Sequence, residues 1–363
     1  MTAFTWEGIQ SRVIFGARSI EQIPTELERL RARRVMLVST PGRTALADRA
    51  GGIAGNLVVA RFDRAVVHVP EDVAAAARSA ATTASADCVL AIGGGSAIGV
   101  AKAVALTSGL PIVAVPTTYS GSEMTPVWGV TSHGIKQTGR DARVQPRVVV
   151  YDPLLTMDLP ANVAAMSGMN AMAHCVEALY APDCNPLTSL AAAEGIRVLG
   201  DALPGVARSP AELAPRENAL MGAWFAGTAL GAVQMGLHHK LCHTLGGSLD
   251  LPHAETHAVM LPYTAAFNRD AAARAMRIAA NSLRADDAPA ALMTLASRVG
   301  APRSLQEIGM REGDIDLTAD LAFERKYPNP RPVTRADLRA LLAAAFMGDK
   351  SYVVAAPSTA GSG

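Results

Sequence analysis

Six of the eight histidines of this chain lie between residues 170 and 257. Asn170 and His174 are four residues apart, as are His239 and His243, so each pair shares one face if its segment is helical. His253 follows a Gly-Gly break and a Leu-Pro step, where a new helix would begin. Imidazoles on neighbouring helices are what metal sites and proton-transfer sites both require. The spacing therefore predicts a site of one of these two kinds, with His238 and His257 either behind it or exposed.

A glycine-rich turn offers a second kind of chemistry. Gly93, Gly94, Gly95 and Ser96 follow an apolar strand and open an alanine-rich helix. Without Cβ atoms the backbone can turn sharply, and its N–H groups can approach a pyrophosphate at the helix N-terminus. The spacing differs from the usual dinucleotide fingerprint, and no Lys-Ser/Thr follows as it would in a P-loop. The strand–turn–helix context nevertheless predicts a dinucleotide site.

Two further loops are expected to face the same ligand. Thr117, Thr118 and Ser122 follow the next strand, and Ser39 and Thr40 follow an earlier one. Carboxyl ends of parallel strands lie at one edge of a sheet, where such sheets bind ligands. No acidic residue occurs from position 39 to 42 to repel a 2′-phosphate. The sequence therefore predicts NADH or NADPH as the cofactor.

The elements that must position these residues change character along the chain. Short apolar runs predict strands, and alanine-rich stretches such as 71–86 and 97–108 predict helices between them; the strand runs are 35–39, 56–60, 65–69, 88–92, 111–115 and 147–151. Apolar strands joined by helices imply a parallel sheet covered on both faces. Beyond Asp152-Pro153 helical periodicity dominates. We predict an α/β domain over 1–155, an all-helical domain over 156–350 and a mobile tail over 351–363.

Composition narrows the class of protein. The chain has 363 residues, of which 50% are hydrophobic and 18% charged, with a net charge of +1. This gives no basic field for nucleic acid, and no apolar run reaches membrane-spanning length. The first residues lack the features of a signal peptide, and the four cysteines are scattered. We expect a cytoplasmic protein with Cys88 and Cys242 reduced in the core, a small-molecule substrate, and neither a nucleic-acid nor a membrane partner.

The motifs together resemble the iron-containing (group III) alcohol dehydrogenase family over nearly the whole chain. The resemblance rests on the Gly-Gly-Gly-Ser turn, the Thr-Thr loop with Gly-Ser-Glu, and the spaced histidines ending in Pro-His. It implies a Rossmann-like nucleotide-binding domain followed by an all-α domain, the dehydroquinate synthase-like architecture. The family's metal ligands fall on Asn170, His174, His239 and His253.

Three departures from the family pattern are informative. The acidic first ligand of metal-dependent members is Asn170 here, Gly99 stands where an Asp is usual, and the Thr-Thr loop is one residue shorter. With the segments 238–247 and 251–257 and the run beginning at Glu177, these features look like the maleylacetate-reducing branch of the family. That branch reduces maleylacetate to 3-oxoadipate with NADH or NADPH, late in bacterial breakdown of aromatic compounds. The resemblance also implies a homodimer or larger assembly.

The expected substrate affects whether the reaction requires a metal. Hydride addition to the C=C of maleylacetate puts negative charge on a ketone oxygen as an enolate, which a hydrogen-bond donor, Lys240 or an imidazolium can stabilise. A histidine, with His243 and His253 as the first candidates, can then protonate the neighbouring carbon. Neutral Asn170 removes charge that would help to hold a divalent cation. We therefore predict that no metal is required, and that the cations for the two carboxylates come from Lys240, Lys136, Arg140 or Arg143.

Two other functions stay open at this point. One is a metal-dependent alcohol dehydrogenase of the same fold. The other is a carbon–oxygen lyase related to dehydroquinate synthase, which binds NAD but needs Zn²⁺ and a basic phosphate site. The absence of an acidic ligand at Asn170 counts against both.

Overall fold

The computed structural model describes residues 4, 6, 8, 10–132, 135–324 and 326–354, with the side chains of all of these except residues 135 and 136. The predicted mobile tail lies almost entirely outside the described residues, since only 351–354 belong to them. A short 3-10 turn, Lys350–Tyr352, comes just before this point.

A parallel sheet forms the first half of the protein. Its order is β1-β8-β5-β4-β2-β3, and every neighbouring pair is parallel, as predicted. The strands of the described residues are β1 Arg12–Phe15, β2 Val35–Val38, β3 Val58–Phe62, β4 Cys88–Gly93, β5 Ile112–Pro116, β6 Val127–Ser132, β7 Ile135–Arg140 and β8 Val148–Tyr151.

Helices cover both faces of this sheet. They are α1 Ile23–Arg29, α2 Thr44–Ala54, α3 Glu71–Thr83 and α4 Gly95–Ser108. Side chains alternate between faces along a strand, and in β2 Val35 and Leu37 join the core under α1 and α2, whereas Met36 and Val38 join the core under α3 and α4. Burial on both faces explains why the central strands are continuously apolar.

One strand prediction was wrong, and one pair of strands was not predicted. Residues 65–69 form no strand: His68 and Val69 have positive φ values of 64° and 48°, and Val67 is exposed. The N–H of Ala65 is bonded to Ser39 instead of to a neighbouring strand, so β-branched residues alone do not make a strand here. The antiparallel hairpin of β6 and β7 was not predicted.

The remainder is helical, as predicted. The helices of the described residues are α5 Ala161–Ala178, α6 Pro186–Arg208, α7 Leu213–Ala232, α8 Leu237–Leu249, α9 His253–Phe267, α10 Ala273–Ser282, α11 Ala288–Arg298, α12 Asp314–Phe323 and α13 Arg335–Met347. Helix α5 is buried along almost its whole length and packs against α6, α7 and α9. The boundary drawn at residue 155 stays a prediction; it falls between β8 and α5.

The N-terminal strand pairs within its own chain. Arg12–Phe15 runs parallel to β8, which leaves the other side of β1 as an edge of the sheet. Phe4 and Trp6, upstream of this edge, are exposed.

The described helices were also considered as membrane spans. No single one is both long and apolar enough to cross a membrane, although α7 and α8 pass that test jointly as a pair bent by 100°.

Candidate active site

The glycine turn lies where the strand order reverses. The chain passes from β2 outward to β3 and then returns to β4 on the other side of β2, so a crevice opens between the carboxyl ends of β2 and β4. Gly93 ends β4 with φ 145°, and Gly94 is the N-cap of α4. The N-terminus of α4, with its unpaired N–H groups, therefore opens at the predicted nucleotide crevice.

The Thr-Thr loop lies against this turn. The N–H of Thr117 donates to the carbonyl of Gly93 over 3.0 Å. A Cβ atom added to Gly94 would lie 3.0 Å from the side chain of Thr118, and one added to Gly95 would lie 3.7 Å from Ser120. The close approach of these two loops explains why a residue without a side chain stands at position 94.

The end of β2 also reaches the turn, but it is not free of carboxylates. A Cβ on Gly93 would lie 3.9 Å from Thr40. The hydroxyl of Ser39 donates to Asp63, just after β3, over 2.5 Å. We expected no acidic residue at the end of β2, but Asp63 supplies one there, because the adjacent strands β2 and β3 end side by side.

A buried lysine anchors the far end of the Thr-Thr loop. Ser122 begins a short 3-10 turn, and its carbonyl accepts a hydrogen bond of 2.6 Å from Nζ of Lys102. Lys102 also donates to Thr125 and to the carbonyl of Val127. Burial lowers the pKa of Lys102 to about 7. The carbonyl of Ser122 thus helps to fix the loop, whatever its hydroxyl binds.

Gly121 joins the nucleotide edge to the histidines. It has φ 74°, and a Cβ at this position would lie 3.1 Å from Gly227 of α7 and 3.3 Å from Nδ1 of His174. Tyr119, two residues before Gly121 in the same loop, donates its N–H to Ser167 of α5 over 2.9 Å. The predicted nucleotide site and the predicted histidine site are therefore two parts of one region.

Three helices bring the histidines together. His174 comes from α5, His238, His239 and His243 from α8, and His253 and His257 from α9. The rings of His174 and His239 are stacked with centroids 5.1 Å apart, and those of His253 and His257 meet edge to face at 4.5 Å. We call these six residues the histidine cluster. The four histidines predicted to act together do lie together.

A buried carboxylate orients His239. Glu177, three residues after His174 on α5, accepts a 2.5 Å hydrogen bond from Nδ1 of His239. It also accepts from the backbone N–H groups of His238 and His239, at 2.8 and 3.3 Å, in the first turn of α8. In the neutral form of His239, with Nδ1–H donating to Glu177, the lone pair is at Nε2.

Burial divides the cluster into two layers. His174, His238, His239 and His257 are buried, whereas His243 and His253 are exposed with ring centroids 6.2 Å apart. Burial, reinforced by the neighbouring imidazoles, lowers the pKa of His174 and of His257 well below the ordinary value and that of His238 to about 3. These three buried rings are neutral at pH 7.

The candidate cations do not all reach the cluster. Arg140 donates to the carbonyls of Gly231 and Val233 at the C-terminal end of α7, and Arg143 forms an exposed ion pair with Asp141. Both guanidiniums are already bound elsewhere, which makes these two candidates less favourable than Lys240 for the substrate carboxylates. The side chain of Lys136 lies outside the described residues. Lys240 is half-buried on α8 beside His239.

Known protein families and individual proteins match this chain over nearly its whole length. The profile described as iron-containing alcohol dehydrogenase matches residues 10–153, and that described as the C-terminal part of the Fe-containing alcohol dehydrogenase family matches residues 164–346. The chain belongs to the iron-containing alcohol dehydrogenase family. Its relatives in this family include a maleylacetate reductase of Burkholderia cepacia, 51% identical over 96% of this chain and 99% of that protein.

Solved structures of the family agree in fold. A maleylacetate reductase from Agrobacterium tumefaciens has a TM-score of 0.92 and 45% identity, covering 96% of this chain and 99% of that one. An iron-containing alcohol dehydrogenase from Corynebacterium glutamicum has a TM-score of 0.94 and 41% identity, covering 98% of this chain and 100% of that one. The predicted fold and the predicted family are both confirmed.

The family name implies a metal, so the donor atoms matter. Of the described residues, Asn170 Oδ1, His174 Nδ1, His239 Nε2 and His257 Nε2 are buried at the cluster without a hydrogen-bond partner. None of these four groups is an anion, and the oxygens of Glu177, which contacts His239, are already occupied. The single described trio of His, Cys, Asp or Glu with ligand atoms within 4.8 Å of one another is His238, Cys242 and His257, which does not include the family positions.

Sequence reasoning missed three residues of this region. Glu177 carried a signal, since it lies three positions from His174 on the same helix face. Asp63 and Gly121 carried none that a single sequence reveals, because their roles depend on which loops meet. The thiols of Cys88, Cys175 and Cys242 are free and buried, and burial raises their pKa values, in agreement with the prediction for Cys88 and Cys242.

Proposed function

We propose that this protein reduces the carbon–carbon double bond of maleylacetate to give 3-oxoadipate, with NADH or NADPH as the reductant. The observation that carries the proposal is the donor group of Asn170, His174 and His239, which includes no carboxylate, at the point where Gly121 brings the nucleotide loops to the helices. The reductases that are about half identical over nearly the whole chain support it.

The loops of the sheet domain would hold the cofactor. The N-terminus of α4 and the N–H groups of Gly94, Gly95 and Ser96 suit a pyrophosphate, and Thr117 and Thr118 line the same crevice. When bound, the reduced nicotinamide supplies a hydride to the alkene carbon β to the ketone. Gly121 packs directly against His174 and α7, so this crevice and the histidine cluster are adjacent.

The helical domain would stabilise the enolate and supply the proton. Hydride addition leaves an enolate, and a donor or cation at its oxygen stabilises it; Lys240 is the candidate on α8. The adjacent carbon then takes one proton, which completes the reduction. We assign the proton to His253 or His243, because both are exposed to substrate and solvent, whereas the buried rings of His174, His238 and His257 stay neutral.

We further propose that turnover needs no divalent metal. Iron and similar ions are held best where at least one ligand is anionic, and Asn170 offers an amide oxygen. An alcohol or aldehyde substrate gives no delocalised enolate and depends more on a metal. This donor set therefore argues against the hypothesis of a metal-dependent alcohol dehydrogenase. It argues in the same way against the hypothesis of a lyase.

The deciding experiment is simple. Purified protein with freshly made maleylacetate should oxidise NADH or NADPH, followed at 340 nm, and the product should be 3-oxoadipate by mass spectrometry. Simple alcohols with NAD⁺ serve as the comparison substrates. Alcohol oxidation without maleylacetate reduction would overturn the proposal in favour of the alcohol dehydrogenase reading.

We propose a homodimer as the working form. The free edge of β1, with exposed Phe4 and Trp6 upstream, is a surface that a second copy can cover by pairing strand to strand. Light scattering at micromolar concentration should give twice the 37.7 kDa mass of the chain. A monomeric mass would contradict the proposed homodimer.

A further inference from the structure

The β6–β7 hairpin forms a small sheet of its own beside the large parallel sheet. Its strands pair from Val127 opposite Arg140 to Ser132 opposite Ile135. We call the pair Val127 and Arg140, at the end where the chain enters and leaves the hairpin, the hairpin base. A hairpin of two strands is barely stable by itself in water, so its position depends on the contacts that hold it.

A buried lysine attaches the hairpin base to the cofactor helix. Lys102 lies on α4, the helix whose N-terminus opens at the nucleotide crevice, and its side chain is 1% exposed. Its Nζ donates to the carbonyl of Val127 over 2.8 Å and to the carbonyls of Ser122 and Thr125 over 2.6 and 2.8 Å. Moving this buried cation would leave it and these carbonyls without partners, which is costly. The hairpin base is therefore fixed to α4.

The opposite strand of the hairpin base reaches the helical domain. Arg140 donates from its guanidinium to the carbonyl of Val233 over 3.1 Å and to the carbonyl of Gly231. Both carbonyls belong to the C-terminal end of α7. The last carbonyls of a helix have no partner within it, and the negative end of the helix dipole favours a cation there. The hairpin base thus binds α4 on one side and α7 on the other.

The end of α7 leads directly into the helix that carries three of the histidines. Residues 234–236 separate Val233 from Leu237, where α8 begins. This link is tightly packed, because a Cβ atom on Gly236 would lie 2.2 Å from the carbonyl of Pro328. A displacement at the end of α7 is therefore passed on to the first turn of α8.

We propose that Arg140 is a positioning residue that, together with Lys102, makes the hairpin base a strut between the cofactor crevice and the histidines of α8. Its kinetic consequence rests on the proposed function, in which a hydride passes from the crevice to a substrate at the histidine cluster. A misplacement of reacting groups by about 1 Å can cost about 100-fold in rate. In this role Arg140 touches neither substrate nor cofactor and acts through α7 and α8.

The chain offers a matched control for Arg140. Arg34 is likewise exposed, and its guanidinium donates to the carbonyls of Ala84 and Ser85 at the C-terminal end of α3. Arg34→Gln therefore removes the same kind of contact within the α/β domain, away from the helical domain. Arg140→Gln removes the strut's contact with α7, and Arg140→Lys is the conservative variant that keeps the charge.

Single-turnover kinetics separate positioning from simple stability. Enzyme loaded with NADH is mixed with saturating maleylacetate, and the loss of absorbance at 340 nm is followed. We expect Arg140→Gln to lower this rate constant about tenfold, with Kd for NADH and KM for maleylacetate within about twofold of the parent. Arg140→Lys should recover most of the loss, and Arg34→Gln should match the parent. A contact that only stabilises the fold would leave the rate constant of the folded variant unchanged.

Amide hydrogen exchange tests the strut without any substrate. We expect residues 234–239, the link and the first turn of α8, to exchange about tenfold faster in Arg140→Gln than in the parent. Arg34→Gln should leave the exchange of these residues unchanged. The measurement uses the full-length protein and mass spectrometry of its peptides.

The outcomes distinguish the strut from the proposed function. A parental single-turnover rate in Arg140→Gln, or parental exchange at residues 234–239, would overturn the strut. A raised KM for maleylacetate with a parental rate would also overturn it and would make Arg140 a ligand of the substrate carboxylates. Failure of the parent to reduce maleylacetate, with the difference in exchange present, would refute the proposed function and leave the strut standing.

Discussion

The carboxylate of Glu177 holds both the ring of His239 and the start of the helix that carries it. One oxygen lies 2.5 Å from Nδ1 of His239, and the other accepts the N–H of His238 over 2.8 Å. Burial by itself raises the pKa of Glu177, but the His239 ring and the His238 N–H outweigh burial and leave this pKa below its ordinary value of 4.5. The ionised carboxylate therefore stabilises the fold.

Glu177→Gln should weaken both stability and catalysis. An amide has one acceptor oxygen where three donors converge, so we expect a loss of about 1–3 kcal/mol in the free energy of unfolding at pH 7.5. The stabilisation from Glu177 is present above its unfolded pKa and is lost as pH falls through the folded one. Urea unfolding should therefore show parent and variant converging below about pH 4.

Glu194→Gln is the control for this prediction. Glu194 pairs with Arg197 on the exposed side of α6, where such a pair contributes about 0–1 kcal/mol. An equal loss of stability in the two variants, or a Glu177→Gln protein with parental kcat, would contradict the role given to Glu177.

Gly94→Val should weaken cofactor binding. A Cβ here lies 3.0 Å from Thr118, and the branched side chain fills the space through which a pyrophosphate approaches the start of α4. We expect the Kd for NADH by fluorescence titration to rise at least about tenfold, or about 1.4 kcal/mol. Gly52→Val, on α2 where a Cβ meets nothing within 4 Å, is the control. Unchanged affinity in a folded variant would remove these glycines from the site.

Asp63→Asn should shift the coenzyme preference toward NADPH. The carboxylate beside Ser39 would repel a 2′-phosphate at the end of β2. Two unit charges of the same sign about 4 Å apart in water repel each other by about 1 kcal/mol. We expect the ratio of kcat/KM for NADPH over NADH to rise about fivefold. Asp48→Asn, which removes an exposed carboxylate paired with Arg61, should leave the ratio alone. An identical ratio in both variants would place the adenosine elsewhere.

Loss of His253 or His243 should reduce turnover. We expect His253→Ala or His243→Ala to lower kcat about 100-fold or more if that residue protonates carbon or holds the enolate. The parental pH–rate profile should show a limb in the histidine range, which the variant of the donor loses. His68→Asn, on a loop of the sheet domain, is the control. Full activity in both alanine variants would move the proton donor to another group.

Chelation should leave the enzyme active. We expect full turnover with maleylacetate after dialysis against a strong chelator, with metal content measured by mass spectrometry in the same sample. The physical reason is that the donor set at Asn170, His174 and His239 includes no anionic ligand. If chelation abolishes activity and Fe²⁺ or Zn²⁺ restores it, the metal-free mechanism is wrong.

Asn170→Asp tests the same idea from the other side. Adding one anionic oxygen beside His174 and His239 should raise the affinity for Zn²⁺, measured by calorimetry on the folded protein. We expect new alcohol oxidation at most, and no gain in maleylacetate reduction.

The sequence alone determined the fold class and pointed to most of the candidate site residues. The continuous apolar runs predicted a parallel sheet, because strands buried on both faces need no polar alternation. The i, i+4 spacing placed Asn170 beside His174 and His239 beside His243, since a helix fixes these neighbours locally. The Gly93–Ser96 turn between β4 and α4 was predicted for the same reason, since its pattern lies within a few consecutive residues, and its role in cofactor binding stays a prediction.

Tertiary structure decided what depends on contacts between distant segments. It put Asp63 beside Ser39, Gly121 against His174 and Glu177 under His239, pairs that lie far apart along the chain. It also separated buried His238 and His257 from exposed His243 and His253, although each exposed histidine lies four or five residues from a buried one on the same helix. Periodicity says which residues share a helix face, but only the packing of α5, α8 and α9 decides which imidazoles are desolvated and which meet solvent.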